Sequence, residues 1–269
     1  MRLSGSGGRE FLHGQTTADF NDCGSGELRY AAFCNPKGRV LADVLAVIID
    51  EQEILMRGRA TVMAALAEHL KPYLGFARCS LTPTDWRIAC YDGSKDEHHV
   101  GLRFAESSLV AVTVPMGREH TECWSAPHES QSEDLSDPLW LEINNQRARI
   151  ESQTIGSYLP QDLDYDCNGT VSFTKGCYTG QEIVARLHYR GTPKRRLHRA
   201  ETTAAVVAGD TLVNPEGKTV GSIVNHCLQD QKHQVLIELI PEAAAGQITL
   251  KAGHGELSRV TRCHDELSR

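Results

Sequence analysis

Hydrophobic positions in this chain fall mostly into short runs separated by turn residues, which is typical of strands. Residues 28–32 are a strand candidate, and residues 40–49 form an apolar run rich in Val, Ile and Leu. Between them lies the turn sequence Asn-Pro-Lys-Gly at 35–38, in which proline presets φ and glycine tolerates a positive φ. The pattern predicts a β-hairpin over residues 28–49, followed by a strand at 54–56.

Helical spacing marks a second kind of element. Apolar residues repeated at intervals of four predict a helix over residues 61–70, which Pro72 is expected to end. A strand, a turn and a short helix over residues 8–12 are expected at the beginning of the chain. Residues 139–150 are assigned to a helix or to a strand–helix junction.

The middle of the chain predicts a second set of strands. Residues 87–91, 100–104 and 109–114 are β-like runs separated by turns. Residues 118–138 are polar and acidic, so we expect a loop there, with at most a short helix.

The sequence pattern changes after residue 199, where short apolar runs alternate with turn residues. This spacing predicts an all-β module, a small barrel. We therefore expect two domains, residues 1–196 and residues 197–269.

Composition and charge limit the classes of protein. With 269 residues the chain can form one large domain or two ordinary ones. A net charge of −7 does not attract nucleic acid to the surface as a whole, so no stable nucleic-acid partner is expected. No apolar run approaches the roughly 20 residues of a membrane helix, and residues 1–14 lack the apolar core of a signal peptide. We expect a cytoplasmic protein without a membrane partner.

The nine cysteines are scattered, and the sequence contains no C-x-x-C. An odd count without an export signal favours reduced thiols over a disulfide framework. Because closely spaced ligand pairs are missing, no metal site is expected.

The most complete local pattern is FTKGCYTGQEIVARLHYRGTPKRR at residues 173–196. Thr179 followed by Glu182 is a T-x-x-E capping box, which makes Thr179 the expected N-cap. Gly191 supplies a stop, and a proline follows it. The pattern predicts a helix over residues 180–190.

Cys177 lies just outside the N-terminus of this helix, two residues after Lys175. The partial positive charge of a helix N-terminus and a nearby ammonium both favour a thiolate, which predicts a reactive thiol. The alternative is a small buried residue that fills a tight turn. Gly176 and Gly180 permit a close backbone approach, and Gln181 is at a position from which a side chain can point into a cavity.

The sequence KGCYTGQE at 175–182, followed by VAR and then by RG and KRR, closely resembles the signature of the YgfZ family. A weaker match is GQTTAD at 14–19 together with AAFCNPKGRVLADV at 31–44. That family comprises folate-binding proteins related to the glycine-cleavage T-protein, an aminomethyltransferase, and implicated in iron–sulfur enzyme maturation and tRNA modification.

The resemblance implies an α+β fold: a T-protein-like body of intertwined ferredoxin-like halves around a central channel, with a C-terminal small β-barrel. It implies tetrahydrofolate as the cofactor and Cys177 as the catalytic thiol. Folate and iron–sulfur client proteins are the implied partners, and we expect a monomer.

The resemblance also assigns cofactor contacts. In the signature segment they are Lys175, Gly176, Tyr178, Gly180, Gln181, Glu182 and Arg190. Asp43 is the one carboxylate within the run at 40–49, and the T-protein superfamily has an acidic folate-lining region there. The alternative is that the backbone or Arg39 satisfies a buried Asp43.

Two further contacts come from residues 139–150. Asn144 stands where relatives carry an acidic residue in an I-E-A-G-x-P-like stretch, a residue that helps to hold the pterin ring in the T-protein. Trp140 can stack on a flat ring or pack in the core.

Six cations follow the signature in an otherwise acidic protein: Arg186, Arg190, Lys194, Arg195, Arg196 and Arg199. Such a run attracts the polyglutamate tail of folate or RNA phosphates. The ordinary alternative is a solvated helix end with cations near its C-terminus.

The function favoured by the resemblance is a tetrahydrofolate-binding factor that supports assembly or repair of iron–sulfur enzymes, including tRNA-thiolating ones, through Cys177. One alternative is a folate-dependent C1-transfer enzyme like the aminomethyltransferase, although the T-protein mechanism uses no cysteine signature. Another is a non-enzymatic scaffold that binds RNA or protein.

Overall fold

The computed structural model describes residues 1–92, 101–105, 108–116, 120–127, 138–253 and 255–264. Within these ranges the chain forms three antiparallel sheets with helices packed on them, so the expected α+β class is confirmed. None of the described helices combines the length and the apolar character that crossing a membrane requires.

The elements follow one another in this order: β1 (Arg2–Ser4), α1 (Gly8–Gln15), β2 (Leu28–Cys34), β3 (Val40–Ile48), β4 (Glu53–Arg57), α2 (Ala60–Leu74), β5 (Ser80–Thr82), β6 (Arg87–Asp92), β7 (Gly101–Ala105), β8 (Ser108–Met116), β9 (His120–Ser125), α3 (Pro138–Asn144), α4 (Gln181–Arg190), β10 (Arg196–Thr202), β11 (Thr211–Val213), β12 (Thr219–Gln229), β13 (Lys232–Leu239), β14 (Thr249–Leu250) and β15 (Ser258–Arg262). Short 3-10 turns occupy Ser152–Thr154, Pro160–Leu163 and Pro241–Ala245.

The first sheet has the strand order β2-β3-β4-β1-β5. Its β2–β3 pair is the predicted hairpin, and in its register Ala32 lies opposite Asp43. Helix α2 buries four side chains at helical spacing: Val62, Met63, Leu66 and Leu70.

Helix α2 continues through Pro72 to Leu74, so the prediction that Pro72 ends it is wrong. A proline inside a helix leaves the carbonyl four residues earlier without its partner. Here the proline lies in the exposed last turn, where water can bond to that carbonyl, so the helix tolerates it.

The second sheet has the order β6-β9-β8-β7. Strand β9 lies where the sequence predicted a loop, and that prediction is wrong for residues 120–125. Residues 118–119 and 128–137 of the predicted loop lie outside the described ranges. The inward positions of β9 are Glu122 and Trp124. A buried glutamate conceals the alternation of apolar residues by which a strand is recognised.

The third sheet contains six strands in the order β14-β11-β12-β13-β10-β15. Bulges between Arg199 and Glu201 and between Ile223 and Asn225 bend its strands, so the sheet curls like a half-barrel. Its edge strands β14 and β15 do not pair with each other within the described residues, and the predicted barrel is therefore open.

One hydrophobic cluster spans both parts of the chain. It contains Leu12 and Phe33 from the body together with Leu197, Val224 and Leu236 from the third sheet. The predicted boundary at 196/197 falls at the start of β10. The division into two domains stays a prediction.

Candidate functional site

The signature helix begins at Gln181, and its N-cap is Gly180 with φ of +86° and no side-chain cap bond. The predicted capping box of Thr179 and Glu182 is therefore wrong. The close packing of Gly180 explains the difference, because a Cβ there would lie 2.5 Å from the carbonyl oxygen of Asn35. The chain thus enters the helix through a left-handed glycine pressed on the β2–β3 turn.

Cys177 is the exposed thiol of this protein. All nine cysteines lie within the described ranges, all are free, and only Cys177 is exposed. Burial raises the pKa of Cys34 and of Cys263 to about 12, which keeps those thiols protonated. The alternative, that Cys177 is a small buried residue in a tight turn, is wrong because the residue is exposed.

Lys175 ties the signature loop to the end of α1. Its side chain is buried, and Nζ donates to the carbonyl oxygen of His13 and, at 2.8 Å, to that of Thr16. These carbonyls form the negative end of the helix dipole, which suits an ammonium. Burial nevertheless lowers the pKa of Lys175 to about 8, and the charges of Asp19 and Cys177 oppose that shift.

The other predicted signature contacts divide into buried and exposed groups. Tyr178 is buried, its ring centroid lies 5.0 Å from the Lys175 ammonium, and burial raises the pKa of its phenol. Gln181 is half-buried, whereas Glu182 and Arg190 are exposed. Lys175, Tyr178 and Gly180 therefore hold the loop, and the exposed side chains remain available to a ligand.

A histidine and a carboxylate that sequence reasoning did not single out as a pair lie beside the signature loop. His13 Nδ1 is 3.2 Å from Asp19 Oδ1. His13 Nε2 faces Gly176, where an added Cβ would lie 3.1 Å from it. The available signal was the GQTTAD match, which ends in Asp19 and begins directly after His13.

Asp43 is buried, and each of its two carboxylate oxygens accepts a hydrogen bond. Its Oδ2 accepts from Arg149 Nε, and its Oδ1 accepts from the backbone N–H of Ile150 at 2.6 Å. Burial raises the pKa of Asp43 to about 6. The alternative that the backbone satisfies this carboxylate holds, and the arginine involved is Arg149, whereas Arg39 lies 3.7 Å from Asp162.

A buried ion network surrounds Asp43. Glu142 accepts from Arg57 at 2.5 Å and from Arg149 at 2.8 Å, and Arg57 also binds Glu122 at 2.6 Å. Nη2 of Arg149 is buried and has no partner among the described residues. The sequence signal for this network was a glutamate within the apolar stretch LWLEI.

Asn144 and Trp140 do not join that network. Asn144 is exposed at the end of α3, and its Oδ1 accepts from Arg199 at 3.3 Å. Trp140 is half-buried and meets His120 edge-on, with ring centroids 5.9 Å apart. Among the described residues, Asn144 makes no hydrogen bond to residues 175–182.

The isoleucine–acid pair of the family pattern has a second match, at Ile150 and Glu151. The Glu151 carboxylate is partly buried and accepts from Arg59 at 2.9 Å and from Asn225 at 3.2 Å. Glu151 is thus the acidic side chain that matches this pattern, and the sequence pattern alone could have found it.

The basic segment separates into engaged and free cations. Arg195 pairs with Glu238 and Arg196 with Asp166, both at 2.8 Å. Three cations are exposed and have no hydrogen-bond or ion-pair partner within the described part of the chain: Arg186, Arg190 and Lys194. The sixth cation of the segment, Arg199, is half-buried and donates to Asn144 and Gln234. Of the six, Arg186, Arg190 and Lys194 are therefore the most open to an anionic ligand.

An acidic cluster of Asp164, Asp166 and Cys167 brings three metal-ligand atoms within 4.8 Å of one another. Arg262 and His264 contact Asp164, however, and Arg196 contacts Asp166. Because the two arginines neutralise the carboxylates, the cluster acts as an ion-pair junction between the body and β15.

Comparisons with known proteins point to one group of relatives, although no family model matches the chain. The tRNA-modifying protein YgfZ of Blochmanniella pennsylvanica is 25% identical over 276 residues, which cover 89% of this chain and 83% of the relative. The protein of the same name from Vibrio vulnificus is 26% identical, with 82% and 72% covered. That from Escherichia coli is 27% identical, with 72% and 67% covered.

Among solved structures, the glycine cleavage system aminomethyltransferase T from Bartonella henselae matches with a TM-score of 0.72. The match covers 98% of this chain and 82% of the other at 13% identity. A likeness at this identity establishes the fold, and the expected T-protein-like architecture is confirmed.

Proposed function

We propose that this chain, a relative of the YgfZ proteins with the fold of a glycine-cleavage T-protein, is a tetrahydrofolate-binding factor in tRNA modification that supports iron–sulfur enzymes. The observation that carries the proposal is Cys177. It is the exposed thiol among nine cysteines, and it stands in the family signature. Residues of the same signature, Lys175 and Gly180, also fix its loop.

The loop around Cys177 is held at two points. Lys175 binds two carbonyls at the end of α1, and Gly180 is packed on the β2–β3 turn. A thiol between two fixed points can meet a partner with little loss of conformational entropy. This arrangement suits a residue that reacts with, or transfers a group to, a client protein.

The hydrogen-bonding groups around Asp43 support a pterin contact at this place in the fold. Arg149 Nη2 is a buried donor that has no acceptor among the described residues, and each Asp43 oxygen keeps a second lone pair. A pterin offers both a carbonyl acceptor and N–H donors. Asp43, Arg149 and Glu151 would hold it there, and the cofactor would supply a one-carbon carrier.

The exposed cations Arg186, Arg190 and Lys194 suit the glutamate tail of folate. Their positive charge lies at the solvent-facing end of α4 in a protein of net charge −7. Binding through exposed charges weakens as salt screens them. We therefore expect polyglutamyl tetrahydrofolate to bind more tightly than the monoglutamyl form at low salt, and this advantage to shrink at high salt.

Titration calorimetry with mono- and polyglutamyl tetrahydrofolate at two salt concentrations tests this proposal. Glu151→Gln should weaken binding, because it removes the charge of the partly buried carboxylate. The matched control Asn144→Ala should leave binding unchanged, because Asn144 is exposed and lies outside the network. No heat with either ligand, alongside tight and salt-sensitive tRNA binding, would replace the folate proposal with an RNA-binding scaffold.

A further inference from the structure

Two histidine side chains meet on one face of the third sheet. The hairpin of β12 and β13 turns through Asp230 and Gln231, which both have positive φ, of 49° and 63°. A two-residue turn of this kind fixes the register of its strands, and here it places His226 opposite Val235. Since His233 lies two residues before Val235, the two histidines are diagonal neighbours on the same face, within reach of each other.

The two imidazole rings have a separation that suits the coordination of one metal ion. Their centroids are 5.5 Å apart, and their planes make an angle of 54°. Nitrogen ligands lie about 2.1 Å from zinc at tetrahedral angles, which places the centroids of two coordinating imidazoles about 5 Å apart. A bridging water, with N–O distances of about 2.9 Å, would place them about 6.5 Å apart. Aromatic pairs that hold no ion occur at the same separation, so the partners of the ring nitrogens decide between these cases.

The Nδ1 atoms of both rings lack hydrogen-bond partners. Each is buried, and neither His226 Nδ1 nor His233 Nδ1 has a partner among the described residues. A buried polar atom without a partner is uncommon in a folded protein, and two such atoms on neighbouring rings point to a bound species that satisfies both. A cation does so when both rings are neutral, because each Nδ1 can then present a lone pair.

The charges near the histidine pair also suit a cation. Burial and the neighbouring His233 lower the pKa of His226, whereas the carboxylates of Glu151 and Asp210 oppose that shift. Burial therefore favours the neutral imidazole, which is the form that coordinates a metal. The two carboxylates offset part of the charge of a bound dication.

We propose that the Nδ1 atoms of His226 and His233 bind a divalent transition-metal ion of the zinc class, with water completing its coordination. Imidazole nitrogen suits such ions, whereas Mg²⁺ prefers oxygen ligands. Spacing in the sequence did not predict this site, because the hairpin register, and not a short ligand motif, brings the two ligands together. The site is separate from the proposed pterin contact: Asn225, which bonds to Glu151, precedes His226 and points to the opposite face of β12.

Calorimetric titration with zinc chloride tests the site in an untagged full chain that carries Cys177→Ser, which removes the exposed thiol as a competing ligand. We expect one zinc ion per chain. Removal of a residue that only orients a metal ligand already costs about 10- to 100-fold in affinity, so His226→Gln and His233→Gln should each weaken binding at least about tenfold. The matched control His69→Gln, which removes an exposed histidine of α2, should bind zinc as tightly as the parent chain.

Nitrogen-15 NMR of the imidazole rings identifies the ligand atoms without a substitution at the site, so the result does not depend on whether a variant folds. Zinc chloride should shift the Nδ1 resonances of His226 and His233 and leave those of His69 in place, and magnesium chloride should shift none of them. The inference fails if zinc leaves the ring nitrogens of His226 and His233 unshifted. Equal zinc affinity in the parent chain and in both glutamine variants would likewise overturn it, since that result indicates an adventitious ion only.

Discussion

Gly180 adopts φ of +86° with the Asn35 carbonyl where its side chain would be, and this one residue sets the entrance of the signature helix. An alanine there would meet both a left-handed backbone and a contact of 2.5 Å. The position of Cys177, three residues earlier, depends on the same backbone.

We expect Gly180→Ala to lower the free energy of unfolding by about 3 kcal/mol, because backbone strain and a steric clash add. Gly169→Ala is the matched control, since Gly169 has φ of +81° but no atom within 4 Å of an added Cβ. It should cost only about 1 kcal/mol. Urea unfolding of both variants measures the difference, and equal losses would show that the contact with Asn35 is unimportant.

The free energy of unfolding depends on pH through the buried ammonium of Lys175. Burial lowers the pKa of Lys175 to about 8 from 10.5, so folding penalises its charged form below pH 8. The unfolded chain binds more protons between these two values, and stability therefore rises with pH across that window.

The comparison of wild type with Lys175→Met isolates this effect. Wild type should gain stability relative to the variant as the pH rises from about 8 to about 10. Denaturant midpoints at pH 7, 8, 9 and 10 measure the gain. A constant difference between the two proteins across this range would contradict the burial of the ammonium.

Sequence reasoning correctly predicted the signature helix and the location of Cys177 outside its start, and it failed at the Thr179 cap. The helix, the thiol outside its start and the need for glycine follow from local pattern. The absence of the capping box could not be predicted from local pattern, because the contact that replaces it comes from Asn35, which is distant in the sequence. Where contacts with distant residues determine the backbone conformation, local sequence propensity does not predict it.

At the scale of elements, Arg57 joins β4 to β9 and α3. Its guanidinium binds Glu122 on β9 and Glu142 on α3, and all three side chains are buried. Removing one member of a buried network leaves its partners as uncompensated charges. The sheets and α3 are therefore held together by electrostatics as well as by apolar contact.

Arg57→Met should reduce the free energy of unfolding by about 3–5 kcal/mol. Adding Glu122→Gln to that variant should recover part of the loss, because one orphaned charge is removed. Lys71→Met, which breaks the exposed pair with Glu68, should have little effect. A loss for Arg57→Met no larger than that for Lys71→Met would contradict the network.

Elements with apolar periodicity were predictable, and those organised by buried charge were not. The β2–β3 hairpin and α4 lie within about one residue of their predicted positions. Strand β9 was missed because Glu122 occupies an inward position. Such residues are recognised only when their partners are known.

At the scale of the molecule, the architecture came from the signature and its resemblance, whereas the pattern of apolar residues supplied only the elements. Residues of the third sheet share a hydrophobic cluster with α1 and β2, an arrangement that no periodicity reveals. The T-protein-like fold is common to the aminomethyltransferase and to this chain. The thiol signature is what separates the two proposed activities.

The central claim is that Cys177 serves tRNA modification, and nucleoside mass spectrometry of tRNA from cells lacking this protein tests it most directly. Wild type should restore thiolated nucleosides, and Cys177→Ala, expressed at the same level and equally stable, should not. Glycine cleavage should be normal in all strains. Full restoration by Cys177→Ala, or a loss confined to glycine cleavage, would contradict the account.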